Sequence, residues 1–130
     1  MIKVIIFDFD GVILDTNKAK GLAFVEIFKK QNSFVRNQIY NLHIKNIGKS
    51  RKDKIIYILK NILKVKITKK KYLKLLDNFS KVVYKKVIKS RFIIGSEYFI
   101  LKNYLTYDMH ISTATPSNEI KDILKKKKNF

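Results

Sequence analysis

The hydrophobic positions of this chain follow different patterns in three parts of its length. Residues 1–15 contain a short apolar run, residues 4–7, that stops at a polar turn. Such a run of β-branched and aromatic residues, closed by a turn, predicts a buried β-strand. Residues 16–91 place apolar side chains at helical spacing, and residues 92–130 contain a second short apolar run. This order of elements predicts an α/β fold.

The middle part is predicted to be a bundle of about four helices, because apolar residues recur there three and four positions apart. The repeat is found in three stretches: 19–28, 55–63 and 72–87. Lysines fill the intervening, solvent-facing positions. The pattern breaks at Gly48, and Ser50 is placed to cap the helix that follows. We expect this part to contain no β-sheet and to be inserted between the two halves of an α/β core.

Two carboxylates follow the first strand directly. Asp8 and Asp10 are one residue apart and precede Gly11. Ligands of parallel sheets bind beyond the carboxyl ends of the strands, where paired carboxylates are costly to desolvate unless they hold a metal or do chemistry. Asp8 can attack phosphorus and form an aspartyl-phosphate, and Asp10 can protonate the leaving oxygen and later activate water. Carboxylate oxygens also suit Mg²⁺, and Gly11 permits a tight turn.

The D-x-D-G pattern alone is also compatible with a strand-to-loop turn that is rich in aspartate. The whole stretch 3–16, KVIIFDFDGVILDT, is more specific. It resembles motif I of the haloacid dehalogenase-like (HAD) hydrolase superfamily, in the branch of the phosphoglycolate phosphatases and β-phosphoglucomutases. The resemblance implies a Mg²⁺-dependent phosphatase or phosphomutase with Asp8 as nucleophile and Asp10 as general acid/base, both at the Mg²⁺ site. True dehalogenases of this superfamily lack the second aspartate, so Asp10 favours phosphoryl transfer.

A second polar turn follows the second apolar run. Residues 109–111 lead into the hydroxyl-rich stretch 112–115 and then Pro116. Thr115 is placed to cap a helix that has Pro116 at its first position, and the free N–H groups of such a turn bind anions. A simple capping turn has the same residues, but the position downstream of motif I favours a resemblance to HAD motif II. The resemblance implies three phosphate-binding residues: Gly11, Ser112 and Thr113.

The helical part carries a further resemblance. Gly48-Lys49-Ser50-Arg51 is similar to the G-x-S-R loop in the caps of the same branch, which reaches over the active site. Arg51 can pair bidentately with a phosphate or carboxylate, although an exposed cation in the first turn of a helix has the same sequence signature. The resemblance implies that Thr16 and Arg51 contact the substrate.

Two other features of the sequence are assigned structural roles. Ser96, after Gly95, resembles the turn that follows the cap and is predicted to be a helix N-cap. His43 and His110 lack the spacing of metal ligands and are predicted to be structural or exposed.

The resemblance covers essentially the whole chain but only the first part of the family fold. It implies a partial Rossmann-like HAD core with parallel strands, residues 1–15 and 92–130, and an α-helical cap, residues 16–91. The lysine and acidic motifs that follow motif II in the family are not found before Phe130. We expect either a truncated gene product or a second chain that supplies the missing C-terminal half. We also expect little or no Mg²⁺-dependent phosphatase activity from this chain alone.

The amino-acid composition limits which classes of ligand are expected. The net charge is +19, but almost all of the cations are lysines, together with the A/T-codon residues Ile, Asn and Tyr. Arginine, which reads bases and phosphates, is scarce. We therefore expect a small phosphorylated metabolite as ligand and no specific nucleic acid. The absence of cysteine and of any signal peptide or long apolar span predicts a cytoplasmic protein without a membrane segment. The alternative is a noncatalytic basic fragment that binds nucleic acid or a partner chain.

Overall fold

The computed structural model describes residues 2–127, which form two strands and six helices. The elements are, in chain order, β1 (Val4–Asp8), α1 (Asn17–Ile27), α2 (Ser33–Lys45), α3 (Arg51–Tyr57), α4 (Lys69–Val87), α5 (Ser96–Asn103), β2 (Asp108–Ser112) and α6 (Ser117–Lys126). A π-helical turn, Ile58–Ile62, continues α3. The predicted α/β class with a helical insertion is confirmed. The division into core and cap domains stays a prediction.

The strands β1 and β2 are parallel neighbours. Their register pairs Val4 with Asp108 and Asp8 with Ser112, so both strands end at the same edge. Two parallel strands need a crossover between them, and α1 to α5 supply it. The predicted convergence of Asp8 and Ser112 at the carboxyl ends is therefore confirmed. No helix within residues 2–127 combines the length and apolarity needed to cross a bilayer.

The predicted helix caps are partly correct. Ser50 caps α3 as expected, since its Oγ accepts the N–H of Asp53 at 3.1 Å and donates to the Asp53 carboxylate at 2.7 Å. Ser96 is not the N-cap of α5 but its first residue, and its hydroxyl lies 2.9 Å from the carbonyl oxygen of Ile13. That contact ties α5 to the turn after β1.

The start of α6 is also displaced by one residue from its predicted position. Pro116 is the N-cap and Ser117 the first helical residue. Thr115 was predicted to be the cap, but its hydroxyl bonds to Lys20 at 2.8 Å. The competing partner is an ammonium group, which binds the hydroxyl in the interior of the molecule.

The hydrophobic core lies among the helices and the turn after β1. Its buried members come from α1 to α4, from α6 and from the turn, and include Phe9, Phe24, Ile55 and Phe79. The rings of Phe24 and Phe79 pack with centroids 4.3 Å apart and planes inclined by 38°, which joins α1 to α4. On its other side α1 approaches α2 closely: a Cβ at Gly21 would lie 2.7 Å from the Tyr40 ring. We infer that glycine at this position permits the α1–α2 contact.

A bidentate ion pair joins α3 to α6. Arg51 donates to both carboxylate oxygens of Glu119 at 2.8 Å, and its Nη1 also donates to Ser80 of α4 at 2.8 Å. The guanidinium lies 5.1 Å from the centroid of the Phe79 ring. The side chains of Arg51 and Glu119 are only 14% and 16% exposed. A fork-to-fork pair in this environment fixes the helical insertion against the segment that follows β2.

One face of the sheet and one side of α5 are uncovered in the described part of the chain. Val4 and Ile6, which share a face of β1, are 49% and 65% exposed. α5 has no buried residue, and Ile94 and Leu105 at its ends are 101% and 85% exposed. Parallel sheets are normally covered on both faces. We call the face of β1 that carries Val4 and Ile6 the open sheet face; α5 lies on the opposite face, where the ring centroids of Phe7 and Phe99 are 6.1 Å apart.

We predict that the ion pair between Arg51 and Glu119 contributes to stability. In a double-mutant cycle with Arg51→Met and Glu119→Gln, measured by urea unfolding, we expect a coupling of about 1–3 kcal/mol. The control is the exposed pair of Lys81 and Asp77, 2.6 Å apart and 68% and 60% exposed, for which we expect less than about 0.5 kcal/mol. Equal coupling in the two cycles would contradict the prediction that the pair of Arg51 and Glu119 stabilises the contact between α3 and α6.

We also predict that the open sheet face makes the chain self-associate. The isolated chain should bind the dye anilinonaphthalene sulfonate and sediment as oligomers at high concentration, because contiguous exposed apolar surface drives association. Val4→Lys and Ile6→Lys should reduce both effects, because these two residues form the exposed apolar surface of β1. Phe34→Lys is the control, because Phe34 is 70% exposed on α2, away from this face. The expectation fails if Phe34→Lys has the larger effect.

Candidate active site

The turn after β1 is closed by its own backbone. The carbonyl of Phe9 accepts the N–H groups of Ile13 and Leu14 at 3.0 and 3.2 Å, and the N–H of Gly11 donates to the carbonyl of Leu14 at 2.8 Å. Gly11 has φ +79°, and a Cβ there would lie 2.8 Å from the Asn17 side chain. Position 11 therefore requires glycine. The turn fixes the directions of Asp8 and Asp10.

Asp10 is the centre of a polar cluster that joins three segments. Its Oδ1 accepts the hydroxyl of Thr16 at 2.5 Å, and its Oδ2 lies 2.5 Å from the ammonium of Lys20 on α1. The hydroxyls of Thr113 and Thr115, after β2, lie 3.5 and 3.4 Å from the same oxygen. Lys20 also donates to Thr115 at 2.8 Å. Charge-assisted bonds of this kind hold the carboxylate in one orientation.

Asp8 is in a different environment. Its Oδ1 accepts the N–H of Phe9 at 2.7 Å, and it forms no ion pair within the described part of the chain. Asp8 lines a cavity of about 440 Å³ together with Asp10, Lys20, Ser112 and Thr113. Four of the predicted site residues therefore share one cavity: Asp8, Asp10, Ser112 and Thr113. An exposed carboxylate beside a fixed one matches a nucleophile beside an acid/base group.

The other predicted site residues have different positions. Thr16 is fully buried behind Asp10, and the Gly11 N–H is used by the turn. Arg51 is engaged by Glu119 and Ser80, and lines only a small neighbouring cavity of about 40 Å³. Substrate contact by Thr16 or Arg51 and phosphate binding by Gly11 stay predictions.

Two cationic or basic groups of the helical part form the opposite wall of the cavity. The Nε2 of His43 lies 3.0 Å from the carbonyl oxygen of Asn17, and its Nδ1 lies 3.1 Å from the ammonium of Lys54. Because a carbonyl only accepts, Nε2 carries the proton and Nδ1 accepts from Lys54. Burial first, and Lys54 second, lower the pKa of His43 to about 4.

Lys54 itself is 5% exposed. Burial lowers its pKa to about 8, and the neighbouring charge of Lys20 adds to the effect. The imidazole of His43 is therefore neutral near pH 7, while the amine of Lys54 is still mostly protonated there.

Sequence reasoning missed Lys20, Thr115 as an active-site hydroxyl, and the buried pair of His43 and Lys54. Lys20 and Lys54 are two lysines of a chain in which lysine fills most exposed helical positions, so residue type carries no signal. Their position around the helix axis is weakly informative, because Lys20 precedes Gly21 and Lys54 precedes Ile55. Gly21 and Ile55 are both buried. A polar residue beside core positions is a weak signal for a site.

The acidic residues suit a shared Mg²⁺ site rather than a closed metal cage. No group of three or more acidic, histidine or cysteine side chains within residues 2–127 could hold a metal ion. The carboxylate of Asp10 is already occupied by Thr16 and Lys20, whereas Asp8 lines the cavity and forms no ion pair among the described residues. Mg²⁺ usually takes one or two protein carboxylates and completes its shell with phosphate oxygens and water. The set around Asp8 fits that arrangement.

The comparisons with known proteins identify the fold. No family model matches the sequence, and no curated protein matches it. Three solved structures each superpose with a TM-score of 0.70. A hydrolase from Pseudomonas syringae is 17% identical, and the match covers 97% of this chain and 56% of that one.

The other two structures have similar coverage. A phosphonoacetaldehyde hydrolase-like protein from Oleispira antarctica is 17% identical over 98% of this chain and 49% of its own. A HAD hydrolase, family IA, variant 3 from Entamoeba histolytica is 15% identical over 100% of this chain and 58% of its own. This chain therefore spans about half the length of the structures that it matches. Within that span it has a HAD-like fold.

Proposed function

We propose that this chain carries the active site of a Mg²⁺-dependent HAD-like phosphatase that acts on a small phosphorylated metabolite. The observation that carries the proposal is the pairing of Asp8 with Ser112 at the ends of two parallel strands, beside a cavity that also contains Asp10. Ligands of parallel α/β sheets bind at this edge. The exposed Asp8 and the fixed Asp10 supply two carboxylates with different environments, which is the requirement for two different roles.

The reaction uses the two aspartates in sequence. A carboxylate oxygen of Asp8 attacks phosphorus, the bond from phosphorus to the ester oxygen breaks, and Asp10, which enters this step in its protonated form, gives its proton to that oxygen. Asp10 then takes a proton from water, which attacks the phosphorus of the aspartyl-phosphate and releases phosphate and Asp8. Ser112 and Thr113 donate hydrogen bonds to the phosphoryl oxygens. Thr16 acts through Asp10 as a positioning residue, since it donates to Oδ1 at 2.5 Å.

Positive charge at the phosphoryl group has two sources in this proposal. Mg²⁺, when bound, neutralises charge on the transferring group; Asp8 would hold it through a carboxylate oxygen and Asp10 through its backbone carbonyl. Lys20 is the second source, because its ammonium lies at the cavity wall, 2.5 Å from Asp10. Catalysis of phosphoryl transfer depends mainly on such positioning and charge neutralisation.

The proposal includes a polypeptide partner for the open sheet face. The matched structures are about twice as long as this chain, and Val4 and Ile6 offer apolar surface of the kind that a further strand or helix covers. A complementary segment, in cis or from a second chain, would cover this face. A cytoplasmic location is compatible with this assignment and stays a prediction.

Nucleic-acid binding is the second candidate function. A larger groove of about 670 Å³ lies between α1 and α4 and has a basic rim that includes Lys18, Lys85, Lys86, Lys89 and Arg91. Such a rim binds polyanions weakly and in a salt-sensitive way. It contains Asp15 and Glu26 as well, which repel phosphates. Asp8 and Lys20 do not line this groove. Substitution of either residue should therefore lower phosphatase turnover and leave nucleic-acid binding unchanged.

We predict that Asp8 is required for turnover. Hydrolysis of p-nitrophenyl phosphate is measured with and without Mg²⁺. Because little or no turnover is expected from this chain alone, high enzyme concentration is needed. Asp8→Asn should lower the rate by at least about 100-fold, since it removes the nucleophile. Asp15→Asn is the matched control: Asp15 is exposed and lies outside the cavity. Turnover that survives Asp8→Asn would contradict the aspartyl-phosphate mechanism.

We predict further that Lys20 supplies charge to the transition state. Lys20→Met should lower kcat/KM by roughly 10- to 1,000-fold, the range typical for loss of one electrostatic contact in an active site. Lys18→Met, two residues earlier on α1 and exposed, should leave kcat/KM within about twofold. A similar loss in both variants would indicate a general effect of net charge and would count against Lys20. Thermal unfolding of each variant checks that the fold is intact.

A further inference from the structure

The loop before α4 and the first turn of that helix form a continuous exposed stretch. Residues 64–71, KVKITKKK, are all exposed, and no other run of consecutive exposed residues within 2–127 is as long. The stretch contains two aliphatic side chains, Val65 and Ile67, which are 36% and 38% exposed. Its cations are Lys64, Lys66, Lys69, Lys70 and Lys71. We call residues 64–71 the basic loop.

The backbone holds the basic loop in one conformation. At its start, Lys64 has φ +51°, and the N–H of Val65 donates to the carbonyl of Leu59 in the π-helical turn at 3.0 Å. At its end, Thr68 is the N-cap of α4, and its hydroxyl accepts the N–H of Lys71 at 3.3 Å. The loop therefore presents its lysines and aliphatic side chains together, with little ordering needed when a partner binds.

The charge of the basic loop has no counter-charge in the chain around it. Residues 60–74 contain seven lysines and no acidic residue. No lysine of the loop forms an ion pair with any residue from 2 to 127. Residues 69–71, all lysines, occupy the first turn of α4, which also lacks an acidic residue. Cations are unfavourable there, because the N-terminus is the positive end of the helix dipole. An anionic partner would relieve this repulsion.

We propose that the basic loop docks the protein onto the surface of an anionic lipid bilayer. The lysines attract the anionic headgroups, and Val65 and Ile67 enter the boundary between headgroups and acyl chains. Leu73, 51% exposed, lies beside Lys69 and Lys70 on α4 and extends this apolar surface. Binding of this kind needs no membrane-spanning helix.

The aliphatic side chains distinguish a bilayer from a nucleic acid as the partner. The high lysine content of the whole chain accounts for the charge of the loop, but it does not account for Val65 and Ile67, which are exposed between the lysines. Residues 60–74 contain no arginine, the side chain that reads bases and phosphates. Val65 and Ile67 also have no ring on which a base could stack.

The basic loop lies far from the candidate active site. The 19 residues of α4 span about 28 Å, and the loop is at the beginning of this helix. The other end leads back to the turn after β1, where the N–H of Asp15 donates to the carbonyl of Arg91 at 2.9 Å. No residue of the loop lines the cavity that contains Asp8 and Asp10. The inference therefore does not depend on the proposed function.

Flotation of vesicles through a density gradient tests the proposal, because it separates bound protein from aggregates formed through the open sheet face. The unsubstituted chain is mixed with vesicles of phosphatidylcholine, with or without about 30% phosphatidylserine as the anionic lipid. We expect at least about 10-fold tighter binding to the anionic vesicles at about 0.1 M salt, and weaker binding as the salt concentration rises.

Two sets of substitutions separate attraction by charge from insertion of apolar side chains. Replacement of residues 69–71 by glutamine should weaken binding to anionic vesicles about 100-fold, since each lysine near such a surface contributes roughly fivefold. Val65→Ser combined with Ile67→Ser leaves the net charge unchanged and should weaken binding about 10-fold. The matched control replaces three exposed lysines of α6 by glutamine and should stay within about threefold. These are Lys121, Lys125 and Lys126.

Three results would overturn the inference. They are no flotation of the unsubstituted chain with anionic vesicles, an equal loss of binding in the α6 control, and full binding by the variant with Val65→Ser and Ile67→Ser. The last result would identify a general polyanion site, for which a single-stranded oligonucleotide competes with the vesicles. Circular dichroism should show an intact fold in every variant, because all of the substituted residues are exposed.

Discussion

The arrangement of this molecule depends on the fixation of one carboxylate. Asp10 follows β1, and its two oxygens bind Thr16 and Lys20 from the start of α1. Through Thr115 the same cluster reaches the segment after β2. The first strand, the first helix and the second strand therefore meet at one partly buried charge. Desolvating a carboxylate is costly unless it is paired and hydrogen-bonded. The three segments can therefore pack around Asp10 only if Thr16, Lys20 and Thr115 supply these partners.

Two cations three positions apart on α3 show how the local charge balance separates structure from function. Arg51 finds Glu119 in a bidentate pair and holds α3 against α6. Lys54, one turn later, lines the cavity, and its contacts among residues 2–127 are the neutral imidazole of His43 and the Phe24 ring, with no carboxylate. Both side chains are largely buried, so exposure does not distinguish them. The presence of a carboxylate partner does: Arg51 is paired with Glu119 and joins two helices, whereas Lys54 has no anionic partner among the described residues.

The sequence was informative where the backbone determines position. Asp8 and Ser112 were predicted together because parallel strands bring their carboxyl ends to one edge, whatever the intervening helices do. Arg51 was recognised as a bidentate residue, but its partner lies 68 positions away in α6 and could not be inferred from a pattern. Lys20 and Lys54 were missed because their roles depend on which side of a lysine-rich helix packs inward. The neighbouring sequence alone predicts a capping role for Thr115, because it does not show that Lys20, 95 positions earlier, donates to the same hydroxyl.

The two sides of the candidate active site differ in how well the hydrophobic core supports them. The buried apolar side chains come from the helices and from the turn at Phe9, Ile13 and Leu14, and none comes from β1, β2 or α5. The helical wall of the cavity and the turn that carries Asp10 therefore stand on close-packed structure. The strand ends that carry Asp8 and Ser112 stand on a two-stranded sheet with an open face, which is marginal by itself. Anything that covers this face would first of all fix Asp8 and Ser112 relative to Asp10, which is already held by Thr16 and Lys20.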